Sequence, residues 1–161
     1  MGRRLELLRK GQMSVDEVAD FAADAGSQNY VEAEPDVNRL LNHEDAIVRF
    51  NALATLAYEW GRTPRTDRIR EIVFTDPDRD CRRQAVGALG SLFRGKQDRE
   101  VLDLLVRTVN NASEEMDVRA FAYTAALDVI GVSRAIQPNP VGLELGSGEL
   151  LALDEYLKAL Q

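Results

Sequence analysis

The sequence predicts an all-α fold, a solenoid of about three stacked helix pairs closed by capping helices at both ends. Three observations carry this reading. A motif recurs around Arg49, Arg82 and Arg119, at spacings of 33 and 37 residues, a period expected of stacked helix pairs. An amphipathic segment precedes each copy of the motif, supplying the first helix of each pair. Gly61, Gly95 and Gly131, with Pro64 nearby, follow the copies and close each unit with residues that end helices.

Residues 1–28 form the N-terminal cap, in which Ser14-Val-Asp-Glu17 reads as a capping box opening a helix that runs to about Ala25. Val15, Val18, Ala19 and Ala22 mark its inner side. Three repeats occupy 36–131. Their first helices are Asp36–Leu41, Asp67–Phe74 and Arg99–Val109, each with apolar residues at helical spacing. Their second helices begin in HEDAIVRFNALATLAY (43–58), DPDRDCRRQAVGALGS (76–91) and SEEMDVRAFAYTAALD (113–128), which align without gaps. In each, an acid lies four residues before the arginine: Asp45 before Arg49, Asp78 before Arg82, Glu115 before Arg119. That order favours both a side-chain pair and the helix dipole. The stripes Val48-Ala52-Leu56, Cys81-Ala85-Leu89 and Val118-Ala122-Ala126 should face the core, with alanine at mid-stripe allowing close helix approach. Residues 132–148, rich in proline and glycine, read as a loop, and 149–161 as an apolar C-terminal cap helix with Leu150, Leu151, Leu153, Leu157 and Leu160. The whole chain is expected to be one domain.

This pattern resembles the HEAT-repeat family, as a small member of bacterial type. The match is strongest in DPDRDCRRQAVGALGSL, good in HEDAIVRFNALATL, and departs in the third copy, where Glu115 stands for the aspartate and Ala126 for the leucine. The resemblance implies a right-handed superhelix whose second helices line a concave face. It also implies a structural ladder between layers, formed here by Asp45, Arg49, Asp78, Arg82, Glu115 and Arg119.

Charge and composition narrow the function. The net charge of −7 opposes attachment to a phosphate backbone. It is uneven: residues 1–61 carry −5, 62–99 carry +4 with Arg62, Arg65, Arg68 and Arg70 close together, and 100–161 carry −6. Cys81 is the only cysteine, which excludes an internal disulfide and fits a reducing compartment. There is no apolar run of signal-peptide or membrane-span length, so a cytoplasmic location without membrane attachment is expected. His43 is the only histidine and lies in a turn, Cys81 falls on the buried stripe, and no metal-ligand, calcium-loop or phosphate-loop spacing occurs. The chain therefore reads as non-catalytic, with no cofactor and no metal.

What remains is recognition by surface. Helical geometry places Phe50, Ala54, Tyr58, Arg83, Gly87, Arg94, Tyr123 and Thr124 off the core stripe, as candidate contacts for another protein. Exposure of Phe50, Tyr58 and Tyr123 is one reading; packing of these rings under a flanking helix is the other. Among the roles known for short solitary HEAT proteins, an immunity protein neutralising a cognate toxin fits the size, and the acidic ends suit a basic partner. Two rivals stand beside it: an enzyme similar to the HEAT-like DNA glycosylases, gripping phosphates with the basic middle repeat, and a regulatory or assembly subunit similar to the HEAT proteins of phycobiliprotein lyases. The expected state is a monomer.

Overall fold

The computed structural model describes residues 1–61 and 66–159, and every described element is helical, with no strand among the described residues. The basic residues Arg62 and Arg65, the unit-closing Pro64 and the terminal Leu160 lie outside the described residues. The chain divides into two compact units, Met1–Ala88 and Leu89–Gln161.

The first unit begins with α1 (Gly2–Arg9) and α2 (Val15–Ser27). The capping box is formed: Glu17 N–H donates to Ser14 Oγ at 3.3 Å, and Ser14 N–H donates to Glu17 Oε2 at 2.7 Å. The Ser14 backbone donor accordingly holds the Glu17 carboxyl below its ordinary range. A 3-10 turn at Val31–Ala33 leads into α3 (Glu34–Leu40). Buried Asp36 on α3 receives Arg9 of α1 at 2.8 Å and Arg39 at 2.9 Å, which fastens α1 down. Next come α4 (Ala46–Ala54), continued by a π-helical segment at Thr55–Glu59, and α5 (Thr66–Thr75).

Helices α2 and α4 pack closely through small residues and through two side chains that donate to the opposite backbone. Asn51 Nδ2 donates to the Ala19 carbonyl at 3.0 Å, and Thr55 Oγ1 donates to the Ala22 carbonyl at 2.8 Å. Phe21, Ala22, Val48, Ala52, Leu53 and Leu56 are fully buried between the elements of this unit. The predicted stripe Val48-Ala52-Leu56 therefore faces inward as read. Beyond it the π segment, closed by Trp60 N–H to the Thr55 carbonyl at 3.0 Å, leaves Tyr58 47% exposed.

Helix α6 (Arg79–Leu92) carries the chain from the first unit into the second, which contains α7 (Arg99–Asn110), α8 (Met116–Ile130) and α9 (Ser147–Lys158). Val101, Leu105 and Val109 of α7 and Val118, Ala122 and Ala126 of α8 are fully buried. Helix α8 ends on Gly131, whose φ of +98° is left-handed, and Val132 N–H closes the cap on the Leu127 carbonyl at 2.9 Å. The buried carboxylate of Asp128 then gathers Arg94 at 2.8 and 3.1 Å, Arg134 at 2.9 Å and Gln137 at 3.1 Å. Residues 132–148 thus start as a pinned segment with a 3-10 turn at Arg134–Ile136.

Gly90 marks the tightest approach in this unit: a Cβ there would lie 2.8 Å from both Cα and Cβ of Ala125. Gly90→Ala should gain helix propensity of up to about 1 kcal/mol but lose more to overpacking, which costs about 1–3 kcal/mol. Urea unfolding should show a lower midpoint at unchanged slope; a raised midpoint would mean that the helices part without cost.

Candidate protein-binding face

The first unit presents a depression of about 260 Å³ lined by Ala46, Ile47 and Phe50 of α4 and by Asp78, Asp80 and Arg83 at and beside the start of α6. Each helix start is built by an aspartate cap. Asp45 Oδ1 accepts Ile47 N–H at 2.8 Å and Val48 N–H at 3.3 Å, while Asp78 Oδ1 accepts Cys81 N–H at 2.9 Å. His43 Nδ1 accepts Asp45 N–H at 3.0 Å and shapes the turn before α4.

The two helix starts are locked together by Arg49. Its Nε and Nη2 donate to the two oxygens of Asp76 at 2.7 Å each, a bidentate pair in which both residues are 6% exposed. Its Nη1 donates to the carbonyls of His43 at 2.9 Å and Glu44 at 2.7 Å. The Asp76 hydrogen bonds push the Arg49 guanidinium further into its charged form. Asp76 Oδ1 also accepts Asp78 N–H at 3.0 Å, so the same carboxylate orders the turn that starts α6. A second tie runs from Cys81 Sγ–H to the Ala46 carbonyl at 3.2 Å.

These contacts revise the ladder expected from sequence. Asp45 and Arg49 were predicted to pair along α4; instead Asp45 caps the helix, and Arg49 leaves it for Asp76, which lies 27 residues on. Arg82 Nη1 reaches back to the Asp76 carbonyl at 2.9 Å, and Arg119 Nε reaches the Val109 carbonyl at 2.8 Å. Glu115 occupies the N-cap of α8 without a side-chain cap bond. Arg49 and Arg82 thus bond to backbone in the turns before their own helices, and Arg119 bonds to the last turn of α7.

Of the candidate contact residues, Phe50 and Arg83 meet at the depression, Phe50 half-buried and Arg83 paired with Asp80 at 3.1 Å. Tyr58 and Gly87 also meet, because the Tyr58 hydroxyl lies 2.5 Å from where a Gly87 Cβ would be. Ala54 is half-buried on the same helix as Phe50. Of the other three, Arg94 stays exposed, whereas Tyr123 and Thr124 do not. Arg94 is spent on Asp128. Tyr123 is 5% exposed and Thr124 is buried as well, in a unit where α9 packs on α8. Burial raises the Tyr123 hydroxyl above its ordinary value, with Glu149 and Tyr156 of α9 adding to the shift. The repeat alignment holds the reason, since Tyr123 occupies the column of Leu53 and Val86, both buried.

Ala46, Ile47 and Asp80 line the depression without having been singled out in sequence, and Asp76, the partner of Arg49, was missed as well. Ile47, 63% exposed, stands in a column where the other copies have Asp80 and Asp117, so an apolar side chain in an acidic column was its signal. Asp76 had none, because its column reads His43, Asp76, Ser113. Among the described residues no group of three or more His, Cys, Asp or Glu side chains gathers as a metal site, and no helix is long and apolar enough to cross a membrane.

Removing one member of a buried ion pair strands the other, at a cost of about 3–5 kcal/mol. Arg49→Met and Asp76→Asn should each show such a loss in denaturant unfolding, and the double variant should lose clearly less than the sum; additive losses would deny the pair. Burial, with the Asp76 charge adding, pushes the Cys81 thiol up to about 12. A raised thiol pKa adds stability that is complete below the unfolded value, about 9, and fades as pH rises towards about 12. Iodoacetamide should therefore alkylate Cys81 in the native protein at pH 8 orders of magnitude more slowly than in the unfolded chain, and comparable rates would show an open thiol.

Compared with family models, with curated proteins and with solved structures, the chain matches none.

Proposed function

We propose that this chain is a non-catalytic protein-binding module of HEAT-like helix pairs arranged as a solenoid, acting in the cytoplasm, with the α4–α6 face of its first unit as the docking site. One observation carries the reading. Ile47, 63% exposed, and half-buried Phe50 offer apolar surface in a depression that Asp78, Asp80 and Arg83 also line, a mixture of apolar and charged groups that suits a protein interface. Tyr58 extends the same face with an exposed aromatic ring. The net charge of −7 favours a basic partner over a nucleic acid, and an immunity protein holding a basic toxin domain is the form of the function that suits size and charge together.

The test is retention from native lysate by the immobilised full chain beside an Ile47→Asp/Phe50→Glu variant whose folding is checked by circular dichroism. Loss of a central anchor costs at least about 2 kcal/mol, or roughly thirtyfold in affinity, so one stoichiometric protein should be held by the wild type and lost by the variant. Equal retention by both, or recovery of nucleic acid alone, would falsify the assignment of this face.

A further inference from the structure

Helix α1 is fastened to the first unit by other means than the helices that follow it. Of its side chains, Leu5 is buried and Leu7 and Leu8 are half-buried, whereas α2 buries Val18, Ala19, Phe21, Ala22 and Ala25. Two arginines supply ionic contacts instead. Arg4 Nη1 donates to Asp24 Oδ2 of α2, and its guanidinium carbon lies 5.7 Å from the centre of the Phe21 ring. Arg9 donates from Nε and Nη2 to Asp36 Oδ2 of α3, at 3.2 and 2.8 Å. Charge is sorted along the chain in the same sense: residues 1–13 carry four basic and one acidic side chain (+3), and residues 14–61 carry two basic and ten acidic (−8). Arg4, Asp24 and Arg9 are open enough to solvent for salt to screen these pairs. The join between α1 and α2 also permits separation. Gly11, at φ +65°, closes α1 on itself: its N–H donates to the Leu8 carbonyl and the Gln12 N–H to the Leu7 carbonyl, each at 3.0 Å. Helix α2 starts on its own capping box at Ser14 and Glu17. Gln12 and Met13 therefore link two helix ends that are complete without each other.

We propose that α1 is a charge-latched strap, which leaves α2 and α3 as one piece when salt screens its arginines, while the rest of the first unit stays folded. Screening weakens attraction between charges that solvent reaches, and the apolar contact that remains is one buried leucine with two half-buried ones. A helix of eight residues does not hold its hydrogen bonds alone in water, so release and unwinding of α1 coincide. Release withdraws Arg4 from the Phe21 ring and Arg9 from Asp36, and uncovers the side of each that α1 occupies. Asp36 keeps Arg39 at 2.9 Å, so its carboxylate is not stranded. Helices α2 and α4 keep their own ties, from Asn51 to the Ala19 carbonyl and from Thr55 to the Ala22 carbonyl. The strap thus regulates access to Phe21 and Asp36, and it owes nothing to the α4–α6 docking face proposed above.

Amide hydrogen exchange on the full chain, followed by NMR, tests this between about 0.01 and about 1 M sodium chloride, a range over which the screening length falls from about 30 to about 3 Å. The reporters are the Leu5, Lys10, Gly11 and Gln12 amides, which bond within α1 and its cap, set against Ala22 of α2 and Ala52 of α4. Protection of the α1 group should fall in unison by at least about tenfold across this range, while Ala22 and Ala52 keep theirs. Arg4→Gln/Arg9→Gln retains the leucines; in it the same amides should already exchange quickly at low salt and respond little to added salt, with Ala22 and Ala52 still protected. Salt-independent protection of α1 in the wild type would show that the leucines hold it, and absence of protection at low salt would show that nothing latches it. Equal losses at Ala22 and Ala52, in the wild type with salt or in the variant, would show that α1 opens only with the whole unit. Any of these results overturns the proposal, as does a variant whose α1 amides exchange like those of the wild type.

Discussion

Arg49 leaves the line of its own helix to form a buried, bidentate pair with Asp76, and the geometry of the proposed docking face depends on that choice. Three of the guanidinium nitrogens are engaged, two by carboxylate oxygens and one by the carbonyls that precede α4. The turn before α4 and the turn before α6 are thereby held as one object. A buried ion pair contributes little net stability compared with well-packed apolar residues, since desolvation offsets most of the attraction. Its value here is positional. An apolar replacement could fill the space, but it could not bond to two carbonyls and two carboxylate oxygens at fixed angles.

The same device recurs wherever the chain must hold an irregular segment against a helix. Asp36 draws Arg9 and Arg39 together and fastens the N-terminal helix. Asp128 draws Arg94, Arg134 and Gln137 together and pins the turn before α7 and the segment after α8. Each is a buried acid satisfied by cationic or amide side chains, from α1 and α3 for Asp36 and from the segments flanking α7 and α8 for Asp128, which is what burial of a carboxylate requires. The regular helix contacts are left to small and branched apolar residues, and at Gly90 to the absence of a side chain. The exposed apolar surface of Ile47 and Phe50 stands beside the Arg49 lock, on backbone that the lock keeps in place, so a partner would meet a preformed surface at little ordering cost.

Much of the helical layout was legible in the sequence, because a period of 3.6 within each helix and a longer repeat between helices both leave marks on one chain. The stripes through Val48, Cys81 and Val118 are buried as read, and the capping box at Ser14 is formed. Phe50 and Arg83 were legible as neighbours for the same reason. What was not legible was partnership across turns. The acid four residues before each arginine suggested a pair along the helix, yet an aspartate at that position caps the helix, and the arginine is released to bond elsewhere. Asp76 carries no column signal, and Arg94 gave no sign that it belongs to Asp128. For Tyr123 both exposure and packing under a flanking helix were open, and its column, a core column in the other two copies, is what decides for burial.

The central claim, that one buried pair holds both helix starts and so the face between them, is tested most directly by amide hydrogen exchange on the wild type and Arg49→Met under conditions where both remain folded. The account predicts that protection of the Val48 and Cys81 amides, the capped starts of α4 and α6, falls together and by a similar factor while that of α7 and α8 is retained. Loss at Val48 alone, with Cys81 unchanged, would contradict it, because the two turns would then be holding themselves in place without Arg49.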